Sequence, residues 1–206
     1  LKKAGLVKNE TPIFFDSPMA EKVTQIFEKH HQYFKKELKE DFAHEDPFMF
    51  PGLTVVDNKE AFETLTQAVG TKVVIAGSGM MTGGRILGQA IRYLPVPSTR
   101  LLIVGYQAEN TLGRKILDGK RSVTIANVPI EIKASVNQTQ AMSSHADQPH
   151  LLKWLEAIKG VKKIFLTHGE NVPRQNLAAK ITTDLRINDI SMPKLNQEED
   201  VYEGKS

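Results

Sequence analysis

The chemistry in this sequence is carried by one glycine-rich turn, a second strand end, a few arginines and two histidines. Val73 to Arg85 reads as an apolar strand, a turn Gly77-Ser78-Gly79-Met80-Met81-Thr82-Gly83-Gly84, and the start of a helix at Arg85. Such turns present unpaired N–H groups at a helix N-terminus and attract anions. The G-x-G-x-x-x-G-G spacing misses the dinucleotide fingerprint by one residue and lacks the G-K-[ST] ending of a P-loop. The alternative is that the glycines serve only a tight turn. Gly105-Tyr106-Gln107 closes the next apolar strand. In an open parallel sheet ligands collect beyond the carboxyl ends of strands. Ser78, Gly79 and Gln107 are therefore expected on one rim, with Arg85 and Arg114 on adjacent helices. Small polar groups with arginines suit phosphodiester recognition, because a guanidinium contacts two phosphate oxygens at once. Arginines that instead pair with nearby acids or cap helices are the competing expectation.

Of the six histidines, His30, His31, His44 and His150 fall on charged helices or loops and read as surface. His145 and His168 each follow an apolar stretch and stand at a turn before a helix. A histidine so placed can ligate zinc or transfer a proton, although position alone favours a plain structural or surface role.

The elements that must position these groups alternate strand and helix, which argues for an α/β fold with a mostly parallel sheet flanked by helices. Strands are expected at 11–15, 53–56, 72–76 and 101–105. A long amphipathic helix should run from Pro18 to about Lys39, with Ser17 as its N-cap, followed by an acidic loop over 41–52. Shorter helices are expected at 59–68, after Gly84, and at 111–117. Residues 122–136 read as two strands turning at Asn127, and a second, smaller unit is expected to begin near Ser122. In it, Asp147 and Pro149 mark a helix that buries Leu151, Leu152, Leu155 and Ile158. A strand 164–167 ends at His168, and a helix covers 176–185.

At 206 residues, 40% hydrophobic and 25% charged, the chain has the composition of a soluble globular protein. No run approaches the roughly 18 apolar residues of a membrane span, so no membrane partner is expected. The lack of cysteine removes disulfides and thiolate metal sites, and fits a cytoplasmic protein. The net charge of +3 identifies no partner. Its distribution is more telling, since Arg85–Arg121 holds seven basic residues against two acids and Glu37–Glu63 holds eight acids against two lysines. A basic middle beside an acidic flank suits one phosphate-facing side.

Taken in order, Asp16-Ser17-Pro18-Met19-Ala20, the Gly77–Arg85 turn, Val104-Gly105-Tyr106-Gln107-Ala108, Thr111-Leu112-Gly113-Arg114, Ser144-His145-Ala146-Asp147 and His168-Gly169-Glu170 resemble the β-CASP ribonucleases of the metallo-β-lactamase fold. The likeness extends to about Leu185. It implies that residues 1–121 are a β-CASP domain. Residues 122–206 would then be the return into the metallo-β-lactamase fold, and RNA would be cut in the cleft between them. By the same resemblance His145 protonates the leaving oxygen. His168 completes the coordination of one of two zinc ions, which supply a hydroxide nucleophile and steady the phosphate charge.

The family's H-x-H-x-D-H motif and first acidic β-CASP motif lie upstream of anything present, and the chain opens on Leu1. It is therefore expected to be a C-terminal fragment, inactive alone, of a zinc-dependent ribonuclease acting in RNA processing or decay. RNA is the expected partner, with a homodimer or an RNA-processing complex as the assembly. The alternative is a non-catalytic RNA-binding or scaffold member, which an intact upstream motif would exclude. A nucleotide-cofactor enzyme is disfavoured by the glycine spacing.

Overall fold

The computed structural model describes residues 4–44, 48–139, 141–143 and 145–201. The chain divides into two units, Leu1–Ser143 and Ser144–Ser206. Glu45, Asp46 and Pro47 of the expected acidic loop, and Ser144 of the histidine motif, lie outside the described residues.

The first unit opens with β1 (Ile13–Asp16) and α1 (Pro18–Lys29), then a 3-10 turn (His31–Tyr33) and α2 (Lys36–His44). The expected single helix to Lys39 is thus two. His30 leaves helical geometry at φ −114° and Phe34 is extended. The break folds the Phe34 ring back to 5.8 Å from that of Phe27, residues that a straight helix would hold about 10 Å apart along its axis. Pro18 starts α1 as expected, but Ser17 makes no side-chain capping bond.

There follow β2 (Leu53–Val55), α3 (Lys59–Gln67), β3 (Val73–Ala76), α4 (Arg85–Tyr93), β4 (Arg100–Ile103), α5 (Leu112–Leu117), β5 (Ser122–Ile125), β6 (Val128–Glu131) and β7 (Ser135–Gln138). Strands β2, β1 and β3 form a parallel sheet in that order, with Ile13 opposite both Leu53 and Val73. Phe14, Val56 and Leu65 build a core against it with Ala61, Ala68 and Val74.

The parallelism continues in separate pieces. Strand β4 pairs parallel with β7, while β5 and β6 form an antiparallel hairpin. The hairpin turns at Ala126 (φ 49°) and Asn127 (φ 64°), the paired positive φ angles of a turn that matches strand twist. A second core joins Met81, Ala90, Leu94 and Ile116 to Val123, Ile125, Ile130 and Ile132. The segment after Arg121 therefore packs with what precedes it, and the first compact unit runs to Ser143. The reason is physical: the hairpin's alternating Val and Ile face the apolar side of α4 and α5, and β7 has only β4 to pair with.

The second unit holds α6 (Gln148–Glu156), β8 (Ile164–Phe165), α7 (Asn171–Lys180), a π-helical turn (Ile181–Leu185) and β9 (Ile190–Ser191). Strands β8 and β9 pair in parallel. On α6, Leu155 is buried as expected, whereas Leu151 on that helix and Ile158 just beyond its end are exposed. The expected helix over 176–185 begins five residues earlier, at Asn171. No helix among the described residues is long and apolar enough to cross a membrane.

Candidate functional site

The turn after β3 is shaped from several sides. The amide of Ile86 donates to the Gly77 carbonyl (2.8 Å) and that of Met81 to the Ser78 carbonyl (3.1 Å). The Ser78 and Thr82 hydroxyls lie 3.4 Å apart. Met81 takes φ 55° and drives its side chain into the core, 4% exposed. Gly84, at φ 73°, allows the chain to enter α4, since a Cβ there would meet the Gly77 carbonyl oxygen at 3.1 Å.

Gln107 is buried and reaches back to this turn. Its Nε2 donates to the carbonyl of Gly79 at 2.8 Å, and also to those of Tyr106 (2.9 Å) and Gly105 (3.3 Å). The amide of Gly113 on α5 donates to the Met80 carbonyl at 3.3 Å. Thr111 caps α5, accepting from Arg114 N and donating to the Ala108 carbonyl. Ser78, Gly79 and Gln107 thus come from strands of two different small sheets, yet one side-chain amide ties them together. Gln107 spends its N–H groups on backbone carbonyls, so within this unit it is an internal clamp.

The arginines both face acids. Arg85 Nη1 lies 3.4 Å from Asp16 Oδ1, with the Arg85 side chain 43% exposed and Asp16 fully buried. Gln89 Nε2, one turn along α4, donates to Asp16 Oδ2 at 2.6 Å. Arg114 Nε donates to both oxygens of Asp118 at 2.9 and 3.1 Å, a pair that is largely solvent-exposed. Asp16 and Gln89 escaped the sequence reading as site residues. The available signal was an acid at the end of an apolar strand and two polar residues four apart on α4.

His145 and His168 belong to the second unit. His145 is exposed in the bend before α6. The N-cap of that helix is Asp147, whose Oδ1 accepts from the His150 backbone (3.0 Å) and from its Nδ1 (2.6 Å). The His150 N–H, and after it the His150 ring, holds the Asp147 carboxyl below its usual range. His150, expected as plain surface, is therefore part of a cap. His168 is exposed, in a left-handed conformation at φ 60°, between β8 and the Glu170 N-cap of α7. Arg174 braces this corner, donating to the carbonyls of Leu166 (3.4 Å) and Pro193 (3.2 Å) and to Asn171 Oδ1 (2.6 Å).

Among the described residues, no three His, Asp or Glu side chains gather as metal ligands. A zinc pair needs several such groups, so the donors among the described residues do not by themselves fit one.

Two family models match the chain. The Beta-Casp domain covers residues 1–116, and the Zn-dependent metallo-hydrolase RNA specificity domain covers residues 129–193. Ribonuclease TTHA0252 of Thermus thermophilus is 36% identical over 187 residues, which is 90% of this chain and 42% of that protein. Transcription termination factor FttA of Cenarchaeum symbiosum is 27% identical, over 86% of this chain and 29% of its own length. Its namesake in Thermococcus kodakarensis is 29% identical, over 78% of this chain and 26% of its own length. The chain thus spans less than half the length of these relatives. With the Beta-Casp model matching more than half of its residues, in an α/β fold of small parallel sheets, the chain belongs to the β-CASP family of metallo-β-lactamase-fold proteins.

Proposed function

We propose that this chain is the RNA-gripping and partial active-site portion of a zinc-dependent ribonuclease that hydrolyses phosphodiester bonds. The observation that carries the reading is the Gln107–Gly79 bond. It joins two strand ends into one rim, on which the Ser78 and Thr82 hydroxyls, the Gly79 backbone and the outer edge of Arg85 meet RNA phosphates. Arg114, next to Gly113 at the same junction, extends that rim. The match to an RNA specificity domain over residues 129–193 supports the same partner.

In this reading water forms a new P–O bond and releases a proton to solvent, the P–O ester bond breaks, and the leaving oxygen takes its proton from His145. His145 suits that task because its imidazole is exposed, in the bend just before the capped start of α6, where a leaving oxygen can approach it. His168 is proposed as a metal ligand, held at a braced corner. The remaining ligands come from outside this chain, so the 206 residues bind RNA without cutting it.

The test is a titration of fluorescein-labelled single-stranded RNA with the purified chain, followed by incubation with zinc. Salt-sensitive binding without cleavage is expected. Absence of binding at low salt would refute the RNA reading, and zinc-dependent cleavage above a His168→Ala control would refute the incomplete site.

A further inference from the structure

Carboxylates are almost never fully buried unless paired, yet Asp16 at the end of β1 has no exposed side-chain surface. Its two oxygens are served unequally. Oδ2 receives a short hydrogen bond from Gln89, at 2.6 Å. Among the described residues Oδ1 has no hydrogen-bond partner, and the Arg85 guanidinium lies 3.4 Å from it as an ion pair. Gln89 and Arg85 stand one turn apart on α4 and approach the same carboxylate, one as a buried donor and the other as a partly exposed cation. A carboxylate meant only for stability would take hydrogen bonds on both oxygens, since a half-satisfied buried ion pair gains little over an apolar substitute.

Resting on the RNA reading above, we propose that Asp16 is a positioning residue for Arg85. Gln89 fixes the carboxylate, the carboxylate attracts the inner edge of the guanidinium, and the outer edge is aimed at a phosphate beside the Gly77–Gly84 turn. The guanidinium is a planar fork with donors along two edges, so one edge can face Asp16 while the other contacts phosphate oxygens. Lysine, a single point charge, cannot do both. The turn is within reach, because Arg85 directly follows Gly84 and the next amide, Ile86, is bonded to Gly77.

A purely neutralising role makes the opposite prediction. If Asp16 only offsets the charge of Arg85, Asp16→Asn adds one net positive charge to the rim and tightens RNA binding. If Asp16 aims Arg85, the same change frees the side chain and weakens binding.

The experiment measures the affinity of the 206-residue chain for single-stranded RNA across a salt series, in wild type, Asp16→Asn, Arg85→Lys and the double variant. Melting curves confirm that each is folded. Wild type must first bind RNA, and failure there overturns the functional reading itself. Given that binding, Asp16→Asn and Arg85→Lys should each weaken it roughly three- to tenfold, the net scale of one ordinary hydrogen bond. The double variant should be no weaker than either single one, and the salt slope of Asp16→Asn should fall by up to about 0.7, the value of one single-strand phosphate contact. Unchanged or tighter binding by Asp16→Asn, or losses that multiply in the double variant, would overturn the positioning role while leaving RNA binding intact. Should Asp16→Asn not fold, Arg85→Lys decides: wild-type affinity with lysine overturns the proposal, and a loss of several-fold upholds it.

Discussion

Replacing Gly113 with alanine should destabilise the first unit, although alanine is the better helix former. A Cβ at this position would lie 1.7 Å from Gln107 Oε1, 2.8 Å from Gln107 Cδ and 3.3 Å from the Met80 carbonyl oxygen. The Gln107 amide must retreat by more than an ångström to reach ordinary contact distance, and its Nε2 then leaves the Gly79 carbonyl. Disrupting a buried amide held by several hydrogen bonds costs about 2–3 kcal/mol. The gain in helix propensity offsets about 1 kcal/mol of that, so a net loss of about 1–2 kcal/mol is expected. With Gln107→Ala already in place the obstacle is gone, and Gly113→Ala should become neutral or stabilising by up to about 1 kcal/mol. The coupling energy of this double-mutant cycle is therefore about 1–3 kcal/mol. Because the chain has two units, global unfolding need not be two-state. Native-state hydrogen exchange at the amides of the turn and of α5 is the better reporter. Equal costs of Gly113→Ala in both backgrounds, or stabilisation in the wild-type background, would refute the clamp.

In the zinc-loaded longer protein, His145→Ala should slow RNA cleavage by about 10²–10⁴-fold with zinc content unchanged, whereas His168→Ala should lower both; equal metal loss by elemental analysis would reverse the assignment. The Asp147 cap makes α6 acid-sensitive. Its carboxyl is held below the usual range by His150, so its contribution is complete above the unfolded carboxylate value of about 3.9 and is lost as pH falls through the lower folded value. Amide exchange at His150 and Leu151 should therefore accelerate below about pH 4, and Asp147→Ala should remove that pH dependence.

Local signals in the sequence were read well where one segment decides its own structure. Asp147 with Pro149 marked the start of α6, Asn127 marked the hairpin, and Gly77 to Arg85 announced the turn into α4. Pairings across the chain left no such mark. Strand β7 joins β4, and two-residue strands β8 and β9 pair with each other, because pairing is set by which edges meet in space and not by the pattern within either strand. The same distance hid the partners of the candidate site. Nothing near Arg85 in the sequence points to Asp16, which lies 73 positions before Gln89. The N–H groups of Gln107, a residue expected at the RNA rim, turn to the Gly79, Tyr106 and Gly105 carbonyls, and nothing in the local sequence announces the Gly79 partner.

Met81 has a consequence for anyone who would move this turn. Its side chain is rooted among Ala90, Leu94 and Ile116 and in the hairpin's Val and Ile residues, and burying a methionine contributes about 1.5–3 kcal/mol. The shape of the loop is thus written partly in residues tens of positions downstream. Grafted alone onto another strand–helix junction, Gly77 to Arg85 would lose its form. A transplant that keeps it must carry α5 and the 122–131 hairpin as well, which makes the shape of this turn a property of an assembled block and not of a short peptide motif.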